Sequence, residues 1–183
     1  MDIINHWLTP ATHLASPNFN QRPAGEISLL VIHNISLPPG QFSNTYVEQF
    51  FQNQLDSKAH PYFEEIAVLQ VSSHLYIKRT GEVVQFVPFD QRAWHAGRSC
   101  HAHRPDCNDY SIGIELEGTD TTPYEDIQYQ VLNQVCETLM NAYPDIIPSR
   151  ITGHEFIAPQ RKTDPGPSFK WQRLFASLSR HKD

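Results

Sequence analysis

Apolar positions along the chain follow two periods, and together they predict alternating strands and helices. The run Ile27-Ser28-Leu29-Leu30-Val31-Ile32 is short, apolar and rich in β-branched residues. It predicts a buried central strand that runs straight into His33-Asn34. Tyr46, Val47, Phe50 and Phe51 recur at helical spacing and predict a short helix over 43–53. Residues 74–87 read as a hairpin, with strands His74–Ile77 and Glu82–Val87 and turn chemistry from Thr80-Gly81. Residues 111–117 alternate, placing Ile112, Ile114 and Leu116 on one face and Ser111, Gly113, Glu115 and Glu117 on the other. A glycine on the Glu115 face is expected to leave room for a ligand. The strongest helical pattern covers 123–142. Thr122 and Glu125 match a capping box with Pro123 at the first helical position, and Ile127, Val131, Val135 and Leu139 form the expected buried stripe. Residues 150–153 predict a short strand that delivers His154. A last helix over about 168–180 is expected to pack Phe169, Leu174, Phe175 and Leu178. Residues 1–26, with Pro10, Pro17 and Pro23, read as irregular. This order predicts an α/β (mixed) fold, a central mixed β-sheet flanked by helices.

A chain of 183 residues fits a single domain, 1–183, with its core over about 27–178. A domain of that size folds without disulfides or a structural metal, so any metal is expected to be catalytic. The formal net charge of −6 argues against nucleic acid as a partner. Three cysteines, Cys100, Cys107 and Cys136, form no even-numbered framework and favour a reducing compartment. The N-terminal stretch MDIINHWLTPATHL has no continuous apolar core of signal-peptide length, and no window reaches the roughly 18 apolar residues of a membrane span. The expectation is a cytoplasmic protein with no membrane contact.

The candidate chemistry lies at the two ends of the chain. Residues 152–167 hold His154, Lys162 and Asp164 in a loop stiffened by Pro159, Pro165 and Pro167. A catalytic zinc takes three protein ligands and keeps a position open. His33, His154 and Asp164 would supply two imidazoles and a carboxylate. No H-E-x-x-H helix is present, so spacing alone identifies no metal motif, and a histidine ending a strand is more often a packed residue. Lys162 and Asp164 stand two apart in an extended segment and face one way, as a solvated charge pair would also do. Glu115 suits a general base, with Glu117 on the same face as its competitor. In Arg92-Ala93-Trp94-His95-Ala96-Gly97-Arg98, the ring of Trp94 could stack on a sugar or belong to the core. His6, His13, His101, His103 and His181 read as surface residues, His60 as a loop residue and His74 as a structural one. Cys100 near His95 is the one hint of a thiol nucleophile, and no G-x-S-x-G elbow offers a serine.

Six segments carry a resemblance across nearly the whole chain: VIHNISLPPGQF (31–42), AHPYFEEIAVLQVSSH (59–74), GEVVQFVPFDQRAWHAG (81–97), CNDYSIGIELEGTD (107–120), TGHEFIAP (152–159) and RKTDPGP (161–167). In them the chain resembles the N-acetylmuramyl-L-alanine amidases that act on 1,6-anhydro-muropeptides. The resemblance implies a fold shared with peptidoglycan-recognition proteins and phage amidase lysozymes. It implies one zinc ion per chain, held by residues that match His33, His154 and Asp164. It matches Glu115 to the catalytic glutamate and Lys162 to the catalytic lysine. It places Asn34, Ala93 and Trp94 against the anhydro-muramyl part of the substrate. It further implies a monomeric cytoplasmic enzyme of cell-wall recycling, tied to control of β-lactamase expression. Two positions depart from the pattern: Gln70 and Asp106 stand where members carry arginines toward the peptide stem, and Arg98 or Arg104 would be the substitutes. The rival readings are a broader amidase that digests intact peptidoglycan and a non-catalytic muropeptide-binding module.

Overall fold

The computed structural model describes residues 1–178. Strands β1 (Ile3–Ile4), β2 (Trp7–Leu8), β3 (Thr12–His13), β4 (Phe19–Gln21) and β5 (Leu29–Ile35) lead to helices α1 (Tyr46–Phe51) and α2 (Pro61–Ile66). Next come β6 (Leu75–Ile77), β7 (Val83–Gln85), β8 (Gln91–Ala93), β9 (Cys100–His101), β10 (Arg104–Pro105) and β11 (Ser111–Glu117). Helix α3 (Asp126–Ala142), strand β12 (Ile151–Gly153) and helices α4 (His154–Ile157) and α5 (Trp171–Leu178) follow. The main sheet has six strands in the order β12-β5-β11-β6-β7-β3. Neighbours from β12 to β6 are parallel, β6 and β7 are antiparallel, and β3 joins β7 in parallel. The expected mixed sheet flanked by helices is present. No helix of the described residues is long and apolar enough to cross a membrane.

The alternation of side chains sorts the two faces of this sheet. Leu30, Ile32, Ile112, Ile114, Leu116, Leu75 and Ile77 point to one face and pack with Leu132, Val135 and Leu139 of α3 and Leu174 and Leu178 of α5. On the opposite face the apolar cover is divided. One cluster holds Tyr76, Val84 and Phe86 with Phe50, Phe51 and Phe63 of α1 and α2. The other holds Leu29 and Val31 with Ala96, Cys107, Tyr110 and Ile157. His33 and Glu115 have the parity of this second face.

Five expectations need correction. Residues 1–26 are not uniformly irregular: they hold β1–β4, and β3 is the sixth strand of the main sheet. Strands of two or three residues show no period in a sequence. Helix α2 was not expected, although His60 caps it by accepting from Tyr62 N and Pro61 sits in its first turn. Helix α3 starts at Asp126, with Glu125 at the N-cap. Glu125 N donates to Gln128 Oε1 at 3.0 Å. Gln128 Nε2 donates to the Ile77 and Glu117 carbonyls at 3.3 and 3.1 Å, so the strand ends set where the helix begins. Thr122 instead lies in a turn, where its N–H donates to Thr119 Oγ1. Finally, Ile127 is exposed, and the buried stripe runs through Gln128, Leu132, Val135 and Leu139. The last helix is shorter than expected and packs Leu174 and Leu178, with Phe169 buried just before it. Residues 179–183, including the expected end of that helix and His181, lie outside the described residues.

This stripe makes a contrast that unfolding can measure. Leu132→Ala removes a fully buried side chain from the core of α3 and should cost about 2–5 kcal/mol in denaturant unfolding. Ile127→Ala, on the solvent side of the same helix, should cost no more than about 1 kcal/mol.

Candidate active site

Register brings the candidate residues together. Glu115 of β11 pairs with His33 of β5, so their side chains leave the sheet side by side. Gly153 of β12 pairs with Ile32, which sets His154 level with His33. All three residues stand toward the carboxyl ends of parallel strands, where open α/β sheets usually bind ligands. The chain departs into α4 and returns after ten residues. Glu155 N donates to the Asp164 carbonyl at 2.9 Å, and the Pro165 carbonyl accepts from Asn34 Nδ2 and Tyr124 Oη at 3.1 and 2.8 Å. Gly153 allows this return, since a β-carbon there would meet Pro165 Cδ at 2.9 Å.

Three ligand-type atoms converge as a result. His33 Nδ1 lies 3.0 Å from His154 Nδ1 and 2.9 Å from Asp164 Oδ2, and His154 Nδ1 lies 3.1 Å from the same carboxylate oxygen. His154 Nε2 is 3.0 Å from the Ala96 carbonyl. A carbonyl only accepts, so the hydrogen of a neutral His154 ring sits on Nε2 and Nδ1 is bare. The approach of Nδ1 to an ionised carboxylate is then not a hydrogen bond: two lone pairs face each other. A cation between them resolves the contact. Ligand atoms about 2.0–2.1 Å from a tetrahedral zinc lie roughly 3.3 Å apart, close to the edges of this triangle. Two imidazoles and one carboxylate fit zinc and leave a coordination position open. Among the described residues this is a group of His, Cys, Asp and Glu side chains able to hold a metal.

Electrostatics sharpen the picture. Burial, reinforced by neighbouring His154 and opposed by Asp164, pushes His33 down to about 4. Burial works against the Asp164 carboxylate, yet the closeness of the His154 and His33 rings outweighs it and holds the carboxyl far below its ordinary value. Glu115 goes the other way. Burial, with Asp164 adding to it and Lys162 opposing, raises it well above the usual carboxylate range. Its Oε2 is buried and has no hydrogen-bond partner among the described residues. Glu117, the competing carboxylate, is fully engaged: Oε1 accepts from Ser43 N at 2.6 Å and Oε2 from Arg79 N at 2.9 Å.

These groups lie in a groove of about 670 Å³. His33, Glu115, His154, Lys162 and Asp164 line its polar part, and Phe50, Phe51, Tyr62, Ile66, Leu69 and Val71 line an apolar wall from α1, α2 and the chain beyond. Lys162 is exposed at the rim. Among the described residues it is the one Lys or Arg on the groove, which also carries Glu115, Asp120 and Asp164. Asn34 lines the groove with its Nδ2 held by Asp120 Oδ1 at 2.8 Å. Trp94 also lines it, half-buried, its Nε1 donating to Asn20 Oδ1 at 2.7 Å.

Other expectations fall away. Ala93 is fully buried in the apolar cluster beneath α1 and α2 and does not reach the groove, so the expected substrate contact is not available to it. Gly113 makes room for a side chain rather than a ligand, because a β-carbon there would meet the His95 ring at 2.5 Å. His95 Nδ1 lies 2.9 Å from His33 Nε2, a partnership the sequence reading missed, and His95 has no link to Cys100. The three cysteines are free thiols. His74 is a satisfied structural histidine, accepting from Gly113 N at 3.0 Å through Nδ1 and reaching the Gln91 carbonyl through Nε2. Gln70 and Asp106 are exposed, and neither Arg98 nor Arg104 lines the groove. Arg104 is held by Glu26 at 2.7 Å and lies over the Tyr110 ring.

Comparison with known proteins matches this geometry to a family. The family model described as N-acetylmuramoyl-L-alanine amidase matches residues 23–167, a span that contains every candidate residue above. The 1,6-anhydro-N-acetylmuramyl-L-alanine amidase AmpD of Enterobacter cloacae is 55% identical over 180 residues, 98% of this chain and 96% of that protein. A crystal structure of a selenomethionine AmpD derivative superimposes with a TM-score of 0.94 at 53% identity, covering 97% of this chain and 99% of that one. The amidase AmiD of Escherichia coli, solved with anhydro-N-acetylmuramic acid-L-Ala-D-γ-Glu-L-Lys as substrate, aligns with a TM-score of 0.61 at 32% identity over 83% of this chain and 57% of its own. With its fold, its groove and nearly its full length accounted for, this chain belongs to the N-acetylmuramoyl-L-alanine amidase family.

Proposed function

We propose that this chain is a zinc-dependent amidase that hydrolyses the bond between 1,6-anhydro-N-acetylmuramic acid and L-alanine in anhydro-muropeptides. The observation that carries the reading is the convergence of His33 Nδ1, His154 Nδ1 and Asp164 Oδ2 beside the unpartnered Glu115 Oε2. The names of its AmpD relatives and the substrate bound to AmiD supply the substrate class.

His33, His154 and Asp164 would hold the ion, which when bound supplies Lewis acidity to the scissile lactyl carbonyl and to water. Glu115 takes the proton of the attacking water and returns it to the leaving alanine nitrogen. Its raised affinity for protons suits that task, and cationic neighbours bring it back toward ionisation. Lys162, the groove's lone Lys or Arg among the described residues, donates to the oxyanion that develops on the carbonyl oxygen. Trp94 offers its ring face to the sugar, and Asn34 is oriented by Asp120 to hydrogen-bond it. The same reading makes the enzyme a cytoplasmic monomer of one domain that recycles wall fragments, and ties it through those fragments to β-lactamase control.

Mass spectrometry of anhydro-muropeptide digests should show anhydro-N-acetylmuramic acid and free peptide, and a chelator should stop their release until zinc is restored. Unchanged cleavage by chelated, metal-free protein would refute the reading. Intact sacculi should be poor substrates in the same assay. Glu115→Gln should lower turnover by roughly 10²–10⁴-fold with one zinc still bound by metal analysis, whereas Asp164→Ala should lose the zinc. Lys162→Ala should reduce kcat by roughly 10²–10³-fold, about 3–4 kcal/mol, with zinc affinity little changed.

A further inference from the structure

The two ring nitrogens of His33 have different surroundings. Nδ1 faces His154 Nδ1 and Asp164 Oδ2, and Nε2 faces His95 Nδ1 at 2.9 Å. His95 in turn places its Nε2 3.1 Å from Ser111 Oγ. The rings of His33 and His95 meet edge to face, 5.0 Å between centroids and 86° between planes, so a ring nitrogen of one points at the other. The space His95 fills exists because residue 113 has no side chain.

A neutral imidazole has one N–H. His33 can offer the Nδ1 lone pair to an ion only while that hydrogen sits on Nε2, and then His95 Nδ1 must be the acceptor. With Nδ1 accepting, the hydrogen of His95 is on Nε2 and is donated to Ser111 Oγ. The reverse order has a different outcome. If His95 Nδ1–H donates to His33 Nε2, the hydrogen of His33 is forced onto Nδ1, where it points at Asp164 and blocks ligation. The direction of this two-bond chain therefore decides whether His33 is a ligand.

We propose that His95 is a positioning residue which accepts from His33 Nε2–H and stabilises the His33 tautomer that ligates the ion, with Ser111 Oγ taking up the His95 Nε2 hydrogen. The neighbouring residue does the same for the other histidine. The Ala96 carbonyl, which only accepts, fixes the hydrogen of His154 on Nε2. Both positions are held by one side chain, since Asn108 Oδ1 accepts from His95 N and Ala96 N at 3.2 and 2.8 Å. Two consecutive residues on one loop thus set both imidazoles, and outer partners of this kind orient ligands and tune affinity. Ala96 does so with a fixed acceptor. His95 is itself a ring with two states, and Ser111 Oγ accepts its Nε2 hydrogen in the state that leaves Nδ1 free to accept from His33.

This inference rests on His33 being a zinc ligand, as proposed above. The test is zinc affinity by competition with a chelating dye, together with ¹⁵N NMR of the ring nitrogens in zinc-loaded protein. Zinc-loaded wild type should show hydrogen on Nε2 of both His33 and His95. His95→Leu, which removes the acceptor, should weaken zinc binding by about 10–100-fold. His95→Asn puts a carbonyl oxygen where Nδ1 stood, and it should bind zinc within roughly threefold of wild type. Equal affinity for wild type and the leucine variant would overturn the proposal. So would equal weakening by leucine and asparagine, which would mark His95 as packing alone. A bare His33 Nε2 in the loaded wild type would overturn it by itself, without any variant needing to fold. If His33→Ala keeps its zinc, the ligand assignment has failed instead, a result separate from any of these.

Discussion

The site depends on the register of three parallel strands. Pairing of β5 with β11 sets His33 beside Glu115, and pairing of β5 with β12 sets His154 level with both. A slip of one residue in β5 would turn His33 into the apolar layer under α3 and α5 and turn Ile32 into the groove. What prevents the slip is burial: Leu30, Ile32, Ile112 and Ile114 are all at 0% exposure on the helix-covered face. The hydrophobic effect acting on one side of the sheet thereby aligns the polar groups on the other.

The divided cover of that other side is what makes a groove possible. A continuous apolar layer would have sealed His33 and Glu115 from any substrate. Two separate clusters leave a polar strip between them that lines the groove. Glu115 sits at this boundary. Its surroundings favour the protonated form, with Lys162 acting in the opposite direction. Arg79 and Ser43 deny Glu117 the same freedom by occupying both of its oxygens.

Much of this was legible in the sequence, and the failures have physical causes. Strand β11 announced itself because seven residues are long enough to show an alternation, and β5 because it opens on a continuous apolar run. Strands β1–β4 are too short for that. Residue types and spacing left His33, Lys162 and Asp164 no better than packed or solvated residues; the six-segment family resemblance raised them above that. Thr122-Pro123 looked like a helix start because local chemistry allowed it. The true start has its own capping box, Glu125 with Gln128, and Gln128 also bonds the ends of two strands, a tertiary tie that favours it over Thr122. Gly113 was read as space for a ligand, and the occupant turned out to be His95, 18 positions away. A glycine reports that something comes close, and only the fold says what. His95 itself was hidden beside Trp94, the more conspicuous residue of the same loop.

The chain separation within the triangle has a thermodynamic side. His33 and Asp164 are 131 positions apart, and no unfolded chain presents them together. An ion held there, as proposed, would bridge the central strand to the segment beyond α4 and would bind the native state and not the denatured one. Its binding free energy then adds to conformational stability in proportion to RT ln(1 + [ion]/Kd). The midpoint of thermal denaturation would then rise with free metal concentration, even though a domain of this size needs no metal to fold.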